Sequence, residues 1–251
     1  MIVSVITVCK DSGKTIDDTI KSVKSQTHKE IEHIFCDGGS QDNTVDIIQS
    51  HYGEDSILLN GPDKGIYDAI NKGIKHCTGE IVAILNSDDF YASDQVIENV
   101  VNAFENGTEA AYGDLVYIKP ENTSKIVRYW KTGTIDQKKF QRGWTIPHPA
   151  LFIRKSVYDK YGLYNDSYKI AGDYDLILRL FYTHKISSNY IPKILVKMRT
   201  GGASNGSLPK KLAVHREDVL AWKNNGLKGN SLILWLKPLR KLGQYMFHKI
   251  K

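Results

Sequence analysis

Three acids stand where apolar runs end, and a fourth opens one. Asp37 closes Ile31–Cys36 and precedes Gly38-Gly39-Ser40; Asp88 and Asp89 follow Ile81–Leu85 in Leu85-Asn86-Ser87-Asp88-Asp89. Adjacent carboxylates repel unless something positive sits beside them. A hard divalent cation, Mg2+ or Mn2+, is the natural partner, since it takes carboxylate oxygens and leaves positions open for phosphate. Ser93 and Asp94 lie nearer Gln95, so capping the next helix does not account for the pair. Asp173 opens a stretch whose apolar face is Leu176, Ile177 and Leu180, in Gly172-Asp173-Tyr174-Asp175. By itself it reads as an N-cap before it reads as a general base. Asp37 alone fits an Asp-Gly turn. His148, between Pro147 and Pro149, alone fits an ordinary loop histidine.

Two phosphate-binding patterns are excluded. Gly13-Lys14-Thr15 follows one apolar run and opens an amphipathic one, the setting of a P-loop. That motif needs a glycine five positions before Gly13, where this chain has Val8, and Asp11 would place an acid in the phosphate cradle. No G-x-G-x-x-G follows a predicted strand, so a nicotinamide dinucleotide site has no support.

The elements that must carry these residues alternate. Ile2–Val8 is a near-continuous apolar run, the pattern of a strand buried on both faces. A helix over Thr15–Ser25, a strand over Ile31–Cys36, a helix over Thr44–Tyr52 and a short strand over Ser56–Leu59 follow. Ile66, Ile70 and Ile74 mark a third helix, Ile81–Leu85 a fourth strand and Gln95–Phe104 a fourth helix. Such alternation predicts an α/β fold with a Rossmann-like, mostly parallel central sheet flanked by helices, and ligands beyond the carboxyl ends of its strands. The second half is mixed. Strands are predicted over Ala110–Ile118 and Lys125–Trp130 about a turn at Pro120, then over Ala150–Ile153 and Ile194–Met198. A helix is predicted over Asp173–Tyr182, and a Gly/Ser-rich loop over Gly201–Ser207. Two helices, about 210–224 and 231–250, close the chain.

Composition narrows the class. The chain has 251 residues, 41% of them hydrophobic, enough for a substantial core. No apolar run approaches the ~18–20 residues that span a bilayer, and the N-terminal run has neither the basic flank nor the cleavage site of a signal peptide. Cys9, Cys36 and Cys77 lack metal-binding or disulfide spacing and read as buried thiols of a reducing cytoplasm. No nucleic-acid partner is expected.

Taken in order, the segments resemble the family 2 glycosyltransferases of the GT-A fold, and among them bacterial enzymes that build O-antigen, capsule and other surface polysaccharides. The carriers are Thr7-Val8-Cys9-Lys10-Asp11, Phe35-Cys36-Asp37-Gly38-Gly39-Ser40-Gln41-Asp42-Asn43-Thr44 and the run from Asp63 to Gly73, DKGIYDAINKG. Asn86-Ser87-Asp88-Asp89, Pro147-His148-Pro149-Ala150 and Gly172-Asp173-Tyr174-Asp175-Leu176 complete the set, so the resemblance spans about residues 1–205. It implies a nucleotide-sugar site, for a UDP-sugar first of all, lined by Thr7, Val8 and Asp11. Asp37 would accept a hydrogen bond from the base, and Lys64 would lie near the base or diphosphate. Asp89 would bind Mn2+ or Mg2+, with Asp88 toward the ribose and Ser87 in place of the motif's first acid. Asp173 would be the catalytic base of an inverting transfer, although many members have Glu where this chain has Gly172. His148, Gly201 and Ser204 would line the acceptor side. On this reading residues 1–208 are a GT-A catalytic domain, with 1–108 holding the donor and 109–208 the acceptor.

The remaining 209–251 form a basic helical tail. Pro209 to Lys251 hold ten Lys/Arg and two acids, a charge of +8 against +6 for the whole chain, which leaves the first 208 residues at −2. Trp235, Leu239, Leu242, Met246 and Ile250 fall on one side of a helix, with most basic residues opposite. This pattern suits an anionic membrane surface, the reading the implied lipid-linked acceptor favours over a packing face on the body or on a second copy in a homodimer. The expectation is a cytoplasmic enzyme, peripheral on the inner face of the membrane, acting on a lipid-linked glycan acceptor. A nucleotidyltransferase on a similar sheet and an inactive nucleotide-sugar-binding scaffold are the rival readings.

Overall fold

The computed structural model describes residues 1–201 and 208–227, together with Leu234 and Gln244. The first half is a run of parallel crossovers: β1 (Val3–Cys9), α1 (Ile16–Lys24), β2 (Ile31–Asp37), α2 (Thr44–Tyr52), β3 (Ile57–Asn60), α3 (Ile66–His76) and β4 (Ile81–Ile84). β1 lies between β2 and β4, β3 lies outside β2, and all these pairs are parallel. Val3, Val5 and Ile6 are fully buried, as the unbroken apolar run requires of a strand covered on both faces. In α1, Ile16, Thr19, Ile20 and Val23 recur at helical spacing and form its buried face.

The second half adds β5 (Asp89–Tyr91), α4 (Val96–Ala103), β6 (Ala110–Lys119), β7 (Asn122–Trp130), α5 (Gln137–Phe140), β8 (Leu151–Arg154), α6 (Lys155–Tyr161), α7 (Gly172–Ile177), β9 (Ser188–Arg199) and α8 (Leu208–Asn224). β8 joins the halves, antiparallel to both β4 and β6. Beyond β8, the long β6 pairs with β7 in a hairpin; its other edge takes β9 in parallel, and β5 closes that side. The helix expected over Asp173–Tyr182 begins as α7 and widens into a π-helical segment over Leu178–Thr183.

Cys9, Cys36 and Cys77 are free, buried thiols. The division expected at residue 208 is no break in packing. Ala221, Trp222, Leu227 and Leu234 belong to the main core. The Trp222 indole donates to the Tyr174 hydroxyl at 2.7 Å, and Asn225 Nδ2 donates to Asp175 Oδ1 at 3.0 Å. Thus α8 is built into the body against α7. Of the helix expected over 231–250, all but Leu234 and Gln244 lies outside the described residues. Gln244 Oε1 accepts from Arg128 Nε on β7 at 2.6 Å. Among the described residues no helix is long and apolar enough to cross a membrane.

Candidate active site

The loops after β1, β2, β3 and β4 meet at one end of the parallel strands, the position that strand order makes available to a ligand. Acids knit the first two loops through backbone N–H groups. Asp11 Oδ1 accepts from Gln41 N at 2.8 Å, and Asp42 Oδ2 accepts from Gly13 N at 2.9 Å. Asp11 itself sits at φ +49°, a left-handed conformation that this two-sided grip holds in place. The loop after β4 is tied in by Ser12 and Ser87, whose hydroxyls lie 2.7 Å apart. Thr19 of α1 donates to the carbonyls of Ser87 and Asp89.

These loops form one side of a cavity of about 910 Å3, and the second half forms the other. Its lining includes the polar Lys10, Asp11, Lys14 and Asp63 and the apolar or aromatic Leu115, Tyr117, Trp130 and Met198. Asp88 and Asp173 reach it from opposite halves of the chain, and His148 joins them.

The pair Asp88-Asp89 splits where β5 begins: Asp88 is the last residue of the turn and Asp89 the first of the strand. Asp88 lines the cavity, while Asp89 is fully buried behind it. Burial raises the Asp88 carboxyl above the usual range, with Arg199 opposing the shift. Asp89 is pushed well up, by burial first and by the Asp88 charge second. Asp89 Oδ1 has no hydrogen-bond partner, nor has Asn86 Oδ1 in the same turn. Arg199, at the end of β9, fixes the turn: one guanidinium nitrogen donates to the Asp88 carbonyl at 2.7 Å, and another pairs with Asp18 on α1.

Among the described residues no three His, Cys, Asp or Glu side chains form a ready-made metal cage. A cation shared with a diphosphate needs none, because one or two protein oxygens plus phosphates and water complete its shell. Asp88 on the wall and the unpaired Asn86 Oδ1 beside it are hard oxygen donors of that kind.

The Asp173 side is built by α3. Asn71 grips the backbone of Tyr164 from both sides, with its amide donating to the carbonyl at 2.8 Å and its oxygen accepting from the N–H at 3.0 Å. Tyr67 stacks on Tyr164, 5.7 Å between ring centres, and donates from its hydroxyl to the Ile170 carbonyl. The same hydroxyl lies 3.4 Å from Asp173 Oδ1. Gly172 is where the Tyr67 ring passes: a Cβ there would lie 2.7 Å from the ring, so the site leaves no room for a larger residue. Gly73 lets α3 settle on β1, since a Cβ would lie 2.6 Å from Ile6. Lys72 bridges Asp63 and Asp68 on the polar rim. The run from Asp63 to Gly73 is therefore a bracket joining the two halves of the cavity. His148 is held neutral: burial pulls its pKa down, and the Asp173 charge opposes this only in part. Its Nδ1 has no partner.

Of the residues expected at the site, Val8, Asp11, Asp88, His148 and Asp173 share this cavity. Others do not reach its wall. Thr7 is buried in β1, with its hydroxyl 2.9 Å from His33 Nε2. Asp37 is 1% exposed, and its oxygens accept from Gly39 N, Ser40 N and the Ser40 hydroxyl. Lys64 is exposed, and its backbone N–H caps onto Asp68. Asp89 stands behind Asp88. Gly201 is exposed and off the wall, and Ser204 lies outside the described residues. Sequence reasoning passed over Tyr67, Asn71 and Arg199. Tyr67 and Asn71 were within reach, as polar residues inside a quoted motif.

Comparison with known proteins bears on the family and the fold. Residues 4–162 match the profile of Glycosyl transferase family 2. A PGL/p-HBAD biosynthesis glycosyltransferase of Mycobacterium bovis is 31% identical over 197 residues, covering 76% of this chain and 75% of that protein. An uncharacterized glycosyltransferase of Rickettsia prowazekii is 29% identical over 226 residues, 87% of this chain and 70% of that one. Among solved structures, S. aureus TarS 1-349 in complex with UDP-GlcNAc superposes with a TM-score of 0.66 at 17% identity, over 88% of this chain and 66% of that one. The mannosyltransferase PcManGT of Pyrobaculum calidifontis, in complex with GDP-Man and Mn2+, superposes with a TM-score of 0.64 at 14% identity, over 98% and 70%. The fold is thus the GT-A fold, an α/β sheet flanked by helices, and the chain belongs to glycosyl transferase family 2.

Proposed function

We propose that this glycosyltransferase moves a hexosyl unit, with inversion, from a UDP-sugar to a hydroxyl of a lipid-linked glycan acceptor in surface polysaccharide synthesis. The observation that carries the reading is the convergence of Asp88 and Asp173, from the two halves of the chain, on one cavity at the carboxyl ends of the parallel strands. The solved relatives that hold UDP-GlcNAc or GDP-Man share the fold and support a nucleotide sugar as donor.

The donor would lie along the loops after β1, β3 and β4, with Val8 and Asp11 beside the nucleotide and Lys10 and Lys14 toward the diphosphate; all four line the cavity. Asp88, with Asn86, would hold the divalent cation, in the role the resemblance implied for Asp89. When bound, Mn2+ or Mg2+ neutralises charge on the leaving diphosphate. Asp173 takes the proton of the acceptor hydroxyl as general base. The Tyr67 hydroxyl, with a raised pKa, stays protonated and spends its one proton on the Ile170 carbonyl, which holds the backbone just before Asp173. Neutral His148 lines the cavity on the acceptor side. A base facing the sugar from the side opposite the diphosphate gives single displacement.

The test is release of UDP from a panel of UDP-sugars with Mn2+ and with EDTA. Metal-dependent release supports the reading. Release of pyrophosphate from a nucleoside triphosphate and a sugar phosphate points instead to a nucleotidyltransferase, and no turnover with any nucleotide sugar contradicts both.

A further inference from the structure

The backbone just before Asp173 is gripped by a residue far away in sequence. Glu217, on α8, accepts hydrogen bonds from three successive N–H groups: Lys169 at 3.0 Å, Ile170 at 2.8 Å and Ala171 at 2.8 Å. The grip ends one residue short of Gly172, where α7 begins with Asp173 in its first turn. Lys169 and Ile170 themselves line the cavity. On the other side, the Tyr67 hydroxyl takes the Ile170 carbonyl and its ring packs on Gly172. The segment is clamped from two elements, one inside the family match and one beyond its end at residue 162. The α8 side of the clamp is itself anchored by Trp222 to Tyr174 and by Asn225 to Asp175, the two residues after Asp173.

A carboxylate that accepts three backbone N–H bonds makes charge-assisted contacts of defined direction. It fixes three peptide planes, and with them the position from which Asp173 projects. We propose that Glu217 is a positioning residue for Asp173: α8 sets the base against the donor and does not merely finish the fold. This rests on the reading of Asp173 as the base. It assigns to the start of the basic C-terminal region a part in catalysis without substrate contact. A reacting group displaced by about 1 Å can lose on the order of 100-fold in rate.

The test uses the full chain, with the best UDP-sugar of the panel and Mn2+. Glu217→Gln is isosteric and keeps one acceptor oxygen; Glu217→Ala removes the clamp. The expected result is a kcat lower by ~10–100-fold in Glu217→Ala and by less in Glu217→Gln, with donor KM and UDP affinity near wild type. In an Asp173→Asn background, Glu217→Ala should cost almost nothing more, because both changes act through one group. A merely structural role predicts the opposite: donor affinity and Tm fall with kcat, and the two mutations multiply. Wild-type kcat in Glu217→Gln and Glu217→Ala, with Asp173→Asn inactive, overturns the proposal while leaving the base in place. Full turnover in Asp173→Asn overturns the base itself.

Discussion

Asp173 and Asp88 are separable by chemistry. Asp173→Asn keeps the shape but removes the basicity, so transfer should fall on the order of 10²–10⁴-fold while UDP affinity by calorimetry stays near wild type. Transfer within a few-fold of wild type would remove Asp173 as the base; the N-cap role that its position in the sequence suggested falls to Ala171 instead, with no side-chain cap. Asp89 behaves differently, because its raised pKa is a statement about stability. The unfolded carboxyl ionises near pH 4 and the buried one at higher pH, so the buried acid is tolerated at low pH and costs stability as pH rises through that window. Asp89→Asn should therefore raise the Tm of the metal-free protein more at pH 8 than at pH 4. An equal shift at both pH values would remove the charge from the explanation. The sequence displayed both acids as equals. Which one faces the cavity follows from the strand beginning at Asp89, a three-residue element without a legible pattern of its own.

Elements are legible in proportion to how much of their surface is apolar. β1 and α3 stood out because Val3 to Cys9 is nearly all buried and Ile70 and Ile74 recur on one face of the helix. β9 runs from Ser188 to Arg199, but only its end from Ile194 was readable. Its earlier residues, Ser188 to Lys193, are partly or fully exposed apart from Ile191. α6 was missed because only Val157 and Tyr158 of its seven residues are buried. The glycines of the bracket carry information that only packing reveals. Gly73→Ala should cost about 1–3 kcal/mol, since the Cβ meets the β-branch of fully buried Ile6. A denaturant midpoint unchanged from wild type would mean that α3 can lift from β1 without loss.

At the scale of the molecule, the amphipathic pattern of 231–250 was plain and its destination was not, because a basic, apolar-striped helix suits a lipid surface and a protein face alike. Leu234 is 3% exposed within the main core, so truncation before Ser231 should lower the Tm by several degrees through lost apolar burial. The removed piece also carries five of the ten basic residues beyond residue 208, and full-length protein should sediment with anionic vesicles, weakly with neutral ones, and less as salt is added. Indifference of the full chain to anionic lipid would assign the stripe to the body or to a second copy. The account as a whole stands on the cavity holding a nucleoside diphosphate and a cation shared with Asp88. Calorimetry of UDP with and without Mn2+, on the wild type and on Asp88→Asn, measures that directly. The account predicts that Mn2+ tightens UDP binding to the wild type at least ~10-fold and that Asp88→Asn abolishes the gain. Equal tightening in both proteins would contradict it.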